Sequence, residues 1–255
     1  MIQFTLDTTM IAGSLERDVP GKHSYNHARL EPRRRFLRFL MRYFAFTLLV
    51  KLDKVEGLEN VPTQGPALLM YNHIAFIDPI LILHVLPRNG VPLAKIEVYD
   101  YPVVGIFPKM WEVIPVRREE FDRRALQKML EVLRAGEIVL VAPEGTRRPQ
   151  LSCAKEGIAY IASRYPVPII PVAIEGTVGF PALRFFSSRW REPGAYIRFG
   201  KPFRYQVEFQ HPNREQLRLM TDEAMYILAE MLPENRRGYY SDLSKATRDT
   251  LEIIP

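Results

Sequence analysis

Short apolar runs and longer amphipathic stretches alternate along most of the chain. The apolar runs are bounded by turn residues, which is typical of buried strands, and they lie at 66–71, 91–96, 111–116, 137–142, 167–174 and 195–203. The amphipathic stretches predict helices at 78–86, 118–136, 153–165 and 214–232. Strands that alternate with helices in this way build α/β folds. The pattern therefore predicts an α/β fold with a largely parallel central sheet flanked by helices.

Two of the predicted helices carry clear boundary signals. In 118–136, apolar residues recur at three- and four-residue spacing, acidic residues crowd the first turn, and Gly136 ends the pattern. The helix at 78–86 begins with an Asp-Pro pair. We therefore expect Asp78 at its N-cap and Pro79 at its first helical position.

The pattern divides the chain into four segments. Neither a linker nor an internal repeat interrupts residues 55–235, which we predict to be one domain. Residues 1–25 have no periodicity and are expected to be a loosely ordered lead-in. A basic amphipathic helical segment is predicted at 26–54, and residues 236–255 are expected to follow the domain as a C-terminal tail.

The segment 26–54 combines basic and aromatic residues. Between residues 28 and 50 its arginines face a single acid, Glu31. They are Arg29, Arg33, Arg34, Arg35, Arg38 and Arg42. Uninterrupted apolar sequence runs only from residue 43 to 50, whereas a helix that spans a bilayer needs about 20 apolar residues. We therefore expect a helix that lies on the membrane surface, with its arginines near anionic headgroups. A helix packed on the protein's own core is the alternative. The aromatic and basic stretch 180–190 is a second candidate contact, with a buried turn as its alternative.

Composition narrows the classes of function. The net charge of +6 fits an anionic partner, but the arginines cluster beside apolar residues and the sequence has no recognised nucleic-acid-binding motif, which argues against nucleic acid. The single cysteine, Cys153, cannot form an internal disulfide. The five histidines are spread along the chain, and a single cysteine cannot make a cysteine-based metal site, which argues against a metal centre. We therefore expect neither a metal ion nor a cofactor.

A histidine and an aspartate follow the predicted strand at 66–71. His73 lies just past its carboxyl end, where open α/β sheets bind ligands, and Asp78 begins the next helix. Across a strand-to-helix loop the aspartate can reach the imidazole, fix its tautomer and stabilise the imidazolium. The sequence has no G-x-S-x-G nucleophile, so the pair can act as general base on a hydroxyl of the substrate itself. An isolated histidine in such a run is more often a packing residue.

Two other predicted strand ends carry arginines. The loop after 137–142 offers backbone N–H groups, a hydroxyl and guanidinium groups, which suit a phosphate. The residues of this loop are Gly145, Thr146, Arg147 and Arg148. Arg117 and Arg118 follow the strand at 111–116. Taken alone, the first cluster is more often an ordinary turn and the second a solvated helix start.

Together these clusters resemble the four motifs of the glycerophospholipid acyltransferases, typified by lysophosphatidic acid (1-acylglycerol-3-phosphate) acyltransferase. The order and spacing agree over roughly residues 55–205. The four stretches that carry the resemblance are Asn72-His73 through Asp78 for N-H-x-x-x-x-D, "VIPVRR" at 113–118 for an apolar strand ending in arginine, "PEGTR" at 143–147, and "VPIIPV" at 167–172. Two residues depart from the family pattern: Ala75 stands where a hydroxyl residue is frequent, and Arg117 where an acid is frequent. Both departures bear on the choice of acceptor.

The resemblance implies a role for each candidate residue. His73 would be the catalytic base, and Asp78 would orient it. The residues expected to bind the acceptor phosphate are Arg118, Glu144, Gly145, Thr146 and Arg147, with Asn72, Arg117 and Pro171 in support. Among these residues Glu144 is the only acid. An acid placed directly on a phosphate would repel it, so Glu144 is better suited to orienting the loop or an arginine.

The resemblance also implies the reaction. A fatty acyl group would move from acyl-CoA or acyl carrier protein to the sn-2 hydroxyl of lysophosphatidic acid, giving phosphatidic acid. The alternatives are the same chemistry on another acceptor, such as glycerol 3-phosphate, another lysophospholipid or a lipid alcohol, and a non-catalytic lipid-binding protein. Because the acceptor resides in a bilayer, we expect a membrane-associated protein, peripheral or monotopic, at the cytoplasmic face.

Overall fold

The computed structural model describes residues 25–102, 104–117 and 122–254. Residues 1–24 of the predicted lead-in lie outside this description. Arg118, one of the predicted phosphate ligands, also lies outside it.

Helices and strands alternate through the described part of the chain. The α-helices are α1 (His27–Leu40), α2 (Phe46–Leu49), α3 (Asp78–Val85), α4 (Ile106–Trp111), α5 (Arg123–Arg134), α6 (Gly157–Arg164), α7 (Arg214–Glu230) and α8 (Glu234–Arg237). A π-helical turn, Met41–Ala45, joins α1 to α2. The strands are β1 (Leu52–Glu56), β2 (Ala67–Tyr71), β3 (Gly90–Lys95), β4 (Ile114–Val116), β5 (Ile138–Val141), β6 (Ile169–Glu175), β7 (Ala195–Phe199), β8 (Phe203–Tyr205) and β9 (Leu251–Ile253).

The strands form a central sheet in the order β1-β7-β6-β2-β5-β3-β4. Strand β2 lies in the middle, parallel to both β5 and β6, and β3 and β4 extend the parallel part. Strands β7 and β8 both run antiparallel to β6, and β9 pairs with β8. The predicted α/β fold with a largely parallel central sheet is confirmed. Because β2, β3, β4, β5 and β6 run the same way, their carboxyl ends meet at one edge of the sheet.

Apolar side chains cover both faces of the sheet. Along β2, Leu68 and Met70 pack into the core cluster that contains the buried residues of α5, α6 and α7. The alternate residues Leu69 and Tyr71 pack into the cluster formed with α1 and α3. This period of two follows from the pleat of a strand. Strand β2 is fully buried, so the residues that follow it start from a rigid support.

Two predicted boundaries were wrong in a way that bears on the site. The helix expected to be capped by Asp78 has Ile77 at its N-cap, without a side-chain capping bond, because the Asp78 carboxylate bonds to the loop before the helix instead. The strand expected from residue 111 begins at Ile114, because Trp111 ends α4. Its indole Nε1 donates to the Gly90 oxygen, 2.7 Å away, which fixes α4 against β3.

The described part of the C-terminal segment packs against the domain. Strand β9 pairs with β8, and Tyr240 is fully buried. The Tyr240 hydroxyl accepts a hydrogen bond from the Ala154 nitrogen at 3.2 Å and donates to Asp222 Oδ1 at 2.9 Å. Residues beyond 235, expected to be a tail, therefore support the segment that leads into α6.

Helix α1 both packs on the core and exposes aromatic residues. Leu30 and Leu37 are buried, and the buried Arg34 guanidinium donates to the Trp111 oxygen, at 2.8 Å from Nη2. The aromatic side chains exposed along α1 and the π-helical turn are Phe36, Phe39, Tyr43 and Phe44. Across residues 25–102, 104–117 and 122–254, no helix has the length and apolar character that crossing a bilayer requires.

The loop that follows β6 lies against the end of α2. The Ala182 and Arg184 nitrogens donate to the oxygens of Leu49 and Leu48, at 2.8 and 2.9 Å. Beyond these contacts, Phe185 and Phe186 are 78% and 86% exposed. The stretch 180–190 is therefore partly an outward-facing loop, although Phe180 itself is buried. We call Phe36, Phe39, Tyr43, Phe44, Phe185 and Phe186 the aromatic surface.

Candidate active site

A cavity of about 640 Å³, here called the pocket, opens where the parallel strands end. Most of its wall is apolar and comes from β3 and the helices α5 and α6, with Leu93, Leu126 and Ile158 among its residues. His73, which follows β2, lies on the same wall as Ala142 and Pro143, which follow β5. The topology thus brings the predicted first and third motifs to one cavity.

His73 and Asp78 form the hydrogen-bonded pair that the sequence predicts. The distance from His73 Nδ1 to Asp78 Oδ2 is 2.9 Å. The His73 side chain keeps 12% exposure, whereas that of Asp78 is fully buried. With Nδ1 bonded to a carboxylate, the imidazole is held in the tautomer whose Nε2 can accept a proton.

The loop from residue 72 to 77 is fastened to the sheet at its start. The Asn72 amide donates to the Ile174 oxygen at 2.9 Å and accepts from the Ile174 nitrogen at 2.8 Å. These bonds take the place of backbone pairing between β2 and β6 and satisfy buried groups of β6. Asn72 is therefore a structural support for His73 and is not among the residues that line the pocket.

The buried Asp78 carboxylate accepts four hydrogen bonds, from His73, the Ile74 and Ala75 nitrogens, and Thr177. Burying an ionised carboxylate without such partners would cost several kcal/mol. The Thr177 hydroxyl, at 2.6 Å from Oδ1, comes from the chain just after β6 and was missed by the sequence analysis. One signal was present: a threonine lies two residues beyond the end of a strand whose carboxyl end faces the site.

Glu144 supports the loop of the third motif from within. Its Oε2 accepts from the Ser152 nitrogen at 2.7 Å and from the Ser152 hydroxyl at 2.9 Å. Burial raises the pKa of the Glu144 carboxyl, although the hydrogen bonds from Ser152 and from the His73 backbone oppose this rise. The loop is also tied to the base, because the Arg148 nitrogen donates to the His73 oxygen at 2.8 Å.

The turn at Gly145 brings a lysine to the same loop. Gly145 has φ +68°, in the left-handed region that favours glycine. A side chain there would meet Lys155, whose Cε lies 3.5 Å from the position of the added Cβ. Lys155 lines the pocket, as does Lys95 at the end of β3. Neither lysine was singled out from the sequence, although Lys95 does lie at a predicted strand end.

The predicted phosphate ligands lie in different places. Arg117 and Arg147 are exposed and line the pocket together with Gly145, so the ends of β4 and β5 bring positive charge to its rim. Thr146 is partly buried in the same loop but is not among the lining residues. Pro171 lies within β6, opposite Met70 of β2, and likewise does not line the pocket.

Comparison with known proteins agrees with this arrangement. An acyltransferase family model matches residues 53–175. His73, Asp78 and residues 143–147 all fall inside the matched region. The resemblance drawn from the motifs is confirmed.

The individual relatives are more specific in name. A 1-acyl-sn-glycerol-3-phosphate acyltransferase of Bacillus subtilis is 28% identical over 171 residues, which cover 66% of this chain and 82% of that protein. The chloroplastic enzyme LPAT1 of Arabidopsis thaliana, of the same description, is 31% identical over 154 residues, covering 57% of this chain but only 42% of that longer protein. Among solved structures, the 1-acyl-sn-glycerophosphate (LPA) acyltransferase PlsC of Thermotoga maritima matches with a TM-score of 0.56 at 25% identity, over 84% of this chain and 83% of that chain.

Proposed function

We propose that this chain transfers a fatty acyl group from a thioester donor, acyl-CoA or acyl carrier protein, to the sn-2 hydroxyl of lysophosphatidic acid. The product would be phosphatidic acid. The observation that carries the proposal is the 2.9 Å contact between His73 Nδ1 and Asp78 Oδ2 on the wall of a mostly apolar pocket with arginines at its rim. The names of the matched relatives support the choice of lysophosphatidic acid as acceptor.

The pair acts as a general base in this proposal. His73 Nε2 takes the proton of the acceptor hydroxyl while the hydroxyl oxygen attacks the thioester carbon. The buried Asp78 carboxylate stabilises the imidazolium that forms. The tetrahedral intermediate then collapses, the carbon–sulfur bond breaks, and the imidazolium returns its proton to the leaving thiolate. No acyl-enzyme is formed, so the enzyme itself needs no nucleophile.

Positive charge at the rim would hold the acceptor phosphate. Arg147 and the Gly145 turn lie on the pocket wall, and Thr146 lies between them in the chain. Arg118, which follows β4 in the sequence, is proposed to join them. Glu144 serves the loop and not the phosphate, because its Oε2 is engaged by Ser152. The apolar wall of β3, α5 and α6 is suited to the hydrocarbon chain of a substrate.

The test is acyl transfer by the purified chain in detergent or vesicles. Radiolabelled acyl-CoA and acyl carrier protein thioesters would be offered with lysophosphatidic acid, glycerol 3-phosphate, another lysophospholipid and a neutral lipid alcohol. We expect transfer to lysophosphatidic acid, and a loss of roughly 100- to 10,000-fold in His73→Ala, the usual contribution of general base catalysis. His211→Ala is the matched control, because His211 is exposed and bonds to Arg164 away from the pocket.

Each other outcome replaces a defined part of the proposal. Transfer only to another acceptor, with the same dependence on His73, would keep the mechanism and change the substrate. Lipid binding without transfer from either donor would contradict the proposed activity and favour the non-catalytic lipid-binding alternative.

The aromatic surface is proposed to bring the site to the bilayer that holds its acceptor, at the cytoplasmic face. Exposed aromatic rings with arginines beside them suit the interface of an anionic membrane. Removing residues 1–50 would be a poor test, because Leu37 and Phe46 belong to the core. The double substitution Phe185→Ser and Phe186→Ser leaves the core intact, since both side chains are exposed.

Co-sedimentation with phosphatidylglycerol-containing vesicles measures this contact. Burying each phenylalanine is worth roughly 1.5–3 kcal/mol, so the double variant should partition at least tenfold less into the vesicle pellet. Val207→Ser is the control, because Val207 is 76% exposed and lies outside the aromatic surface. Equal pelleting of the double variant and the wild type would contradict a role for this loop.

A further inference from the structure

A buried hydroxyl contacts the carboxylate on the side opposite the histidine. Thr177 Oγ1 donates to Asp78 Oδ1 at 2.6 Å, and both residues are fully buried. The other oxygen, Oδ2, accepts from His73 and from the nitrogens of Ile74 and Ala75. The contact joins residues 99 positions apart, so it exists only because β6 lies beside β2.

The backbone holds Thr177 in this position. Gly176 precedes it with φ +70°, and a Cβ at Gly176 would lie 2.1 Å from the Gly194 oxygen. After it, the Phe180 nitrogen donates to the Thr177 oxygen at 3.1 Å, which closes a turn. A glycine that permits close approach on one side and a hydrogen-bonded turn on the other leave the threonine little freedom to move.

The two ends of the carboxylate are therefore held differently. Loop nitrogens and the histidine bind Oδ2, whereas Oδ1 depends on one side-chain hydroxyl. The torsion that turns a carboxylate about its Cβ–Cγ bond is broad, so a donor at the second oxygen defines the plane of the group. That plane sets the direction in which Oδ2 faces His73 Nδ1.

We propose that Thr177 is a positioning residue: its hydroxyl holds the Asp78 carboxylate in the orientation that keeps His73 ready to accept a proton. The inference rests on the proposed acyl transfer and deepens it. Thr177 does not line the pocket and acts through Asp78 alone.

The test compares Thr177→Val, which keeps the shape and removes the hydroxyl, with Thr177→Ser, which keeps the hydroxyl. We expect kcat of the valine variant to fall by roughly tenfold or more, the effect of losing one hydrogen bond to a charged group, with little change in KM for the acceptor. The serine variant should recover most of kcat. If the valine variant does not fold, Thr177→Ala serves in its place, because it removes the hydroxyl without placing a methyl group against the carboxylate.

The pH profile separates orientation of the base from a general loss of stability. Asp78, Glu144 and Tyr71 are titratable neighbours of His73 in the described structure. Without the Thr177 donor, the Asp78 carboxylate is free to turn away from Nδ1–H and holds the imidazolium less tightly. The rising limb of kcat/KM should therefore move to lower pH in the valine variant and return in the serine variant.

Thr221→Val is the matched control. Thr221 is also fully buried, and its hydroxyl donates to the Leu217 oxygen at 2.7 Å within α7. This substitution should lower the melting temperature while leaving kcat and the pH profile unchanged. A valine variant at 177 with wild-type kcat and pH profile, or a loss that serine does not restore, would overturn the inference. Absence of transfer by the wild type would instead refute the proposed function.

Discussion

The inner and outer halves of the site are built in contrasting ways. In the inner half, Asp78 is fully buried and accepts four hydrogen bonds. In the outer half, Arg117 and Arg147 are exposed at the rim. A base must be oriented before the substrate arrives, because misorientation costs rate directly. Exposed guanidinium groups can adjust to a phosphate as it binds. The contrast suggests that the inner half governs turnover and the outer half governs substrate affinity.

The largest expected effect tests the inner half by removing charge without removing hydrogen bonds. In Asp78→Asn, the amide oxygen can keep the three donors at Oδ2, and the Thr177 hydroxyl can turn to accept from the new NH₂ group. The imidazolium then lacks its counter-charge, so kcat should fall roughly 100-fold or more.

The measurement is steady-state acyl transfer, with the melting temperature recorded alongside it. A folded Asp78→Asn variant whose kcat lies close to that of the wild type would show that the carboxylate serves only to shape the loop. The proposed electrostatic role would then be incorrect.

A smaller effect is expected in the outer half. Arg147→Ala removes an exposed charge from the pocket rim, so KM for lysophosphatidic acid should rise about tenfold, with kcat changed less. Because the group is exposed, the difference from wild type should shrink at high salt. Arg148→Ala should raise KM less, since Arg148 does not line the pocket. Equal effects at the two positions, or a change confined to the acyl donor, would contradict this division.

The smallest effect concerns Glu144, which lies between the two halves. Its pKa is raised in the folded protein by burial. Folding therefore favours the protonated form, so this group's contribution to stability is fully present below the unfolded pKa, near 4.3, and is lost as pH rises through the folded pKa. Glu144→Gln should lack this loss. This loss of stability is measured by the melting temperatures of the wild type and the variant from acid to neutral pH. Melting temperatures that change in parallel with pH in the two proteins would contradict the prediction.

The hydrophobic pattern of the chain predicts those features that depend on residues close together in the sequence. Fully apolar runs such as that of β2 predict buried strands because both faces of a central strand must be covered. The contact between His73 and Asp78 could also be predicted from the sequence, since only one loop separates the two residues. The direction of the parallel strands then places the third motif at the same edge.

What could not be predicted depends on contacts between distant parts of the chain. Thr177 reaches Asp78 only through the pairing of β2 with β6, and Tyr240 reaches Ala154 only after the C-terminal segment has folded back. The expected cap at Asp78 failed for a related reason. The carboxylate of an aspartate near a helix start can accept hydrogen bonds from several backbone nitrogens. Here it accepts them from Ile74 and Ala75, which precede the helix. Local propensity cannot choose among such partners.

The hydrogen bond between Tyr240 and Ala154 means that the C-terminal segment supports the pocket wall. Ala154 and Lys155 line the pocket, and the Tyr240 hydroxyl accepts a hydrogen bond from the Ala154 nitrogen. Strand β9 also covers β8, which would otherwise present open backbone groups at an edge of the sheet. Proteolytic removal of the residues after 235 would thus loosen the part of the pocket wall formed by Ala154 and Lys155. It would also expose unpaired backbone groups of β8 to other chains, although every sequence motif of the family would still be present.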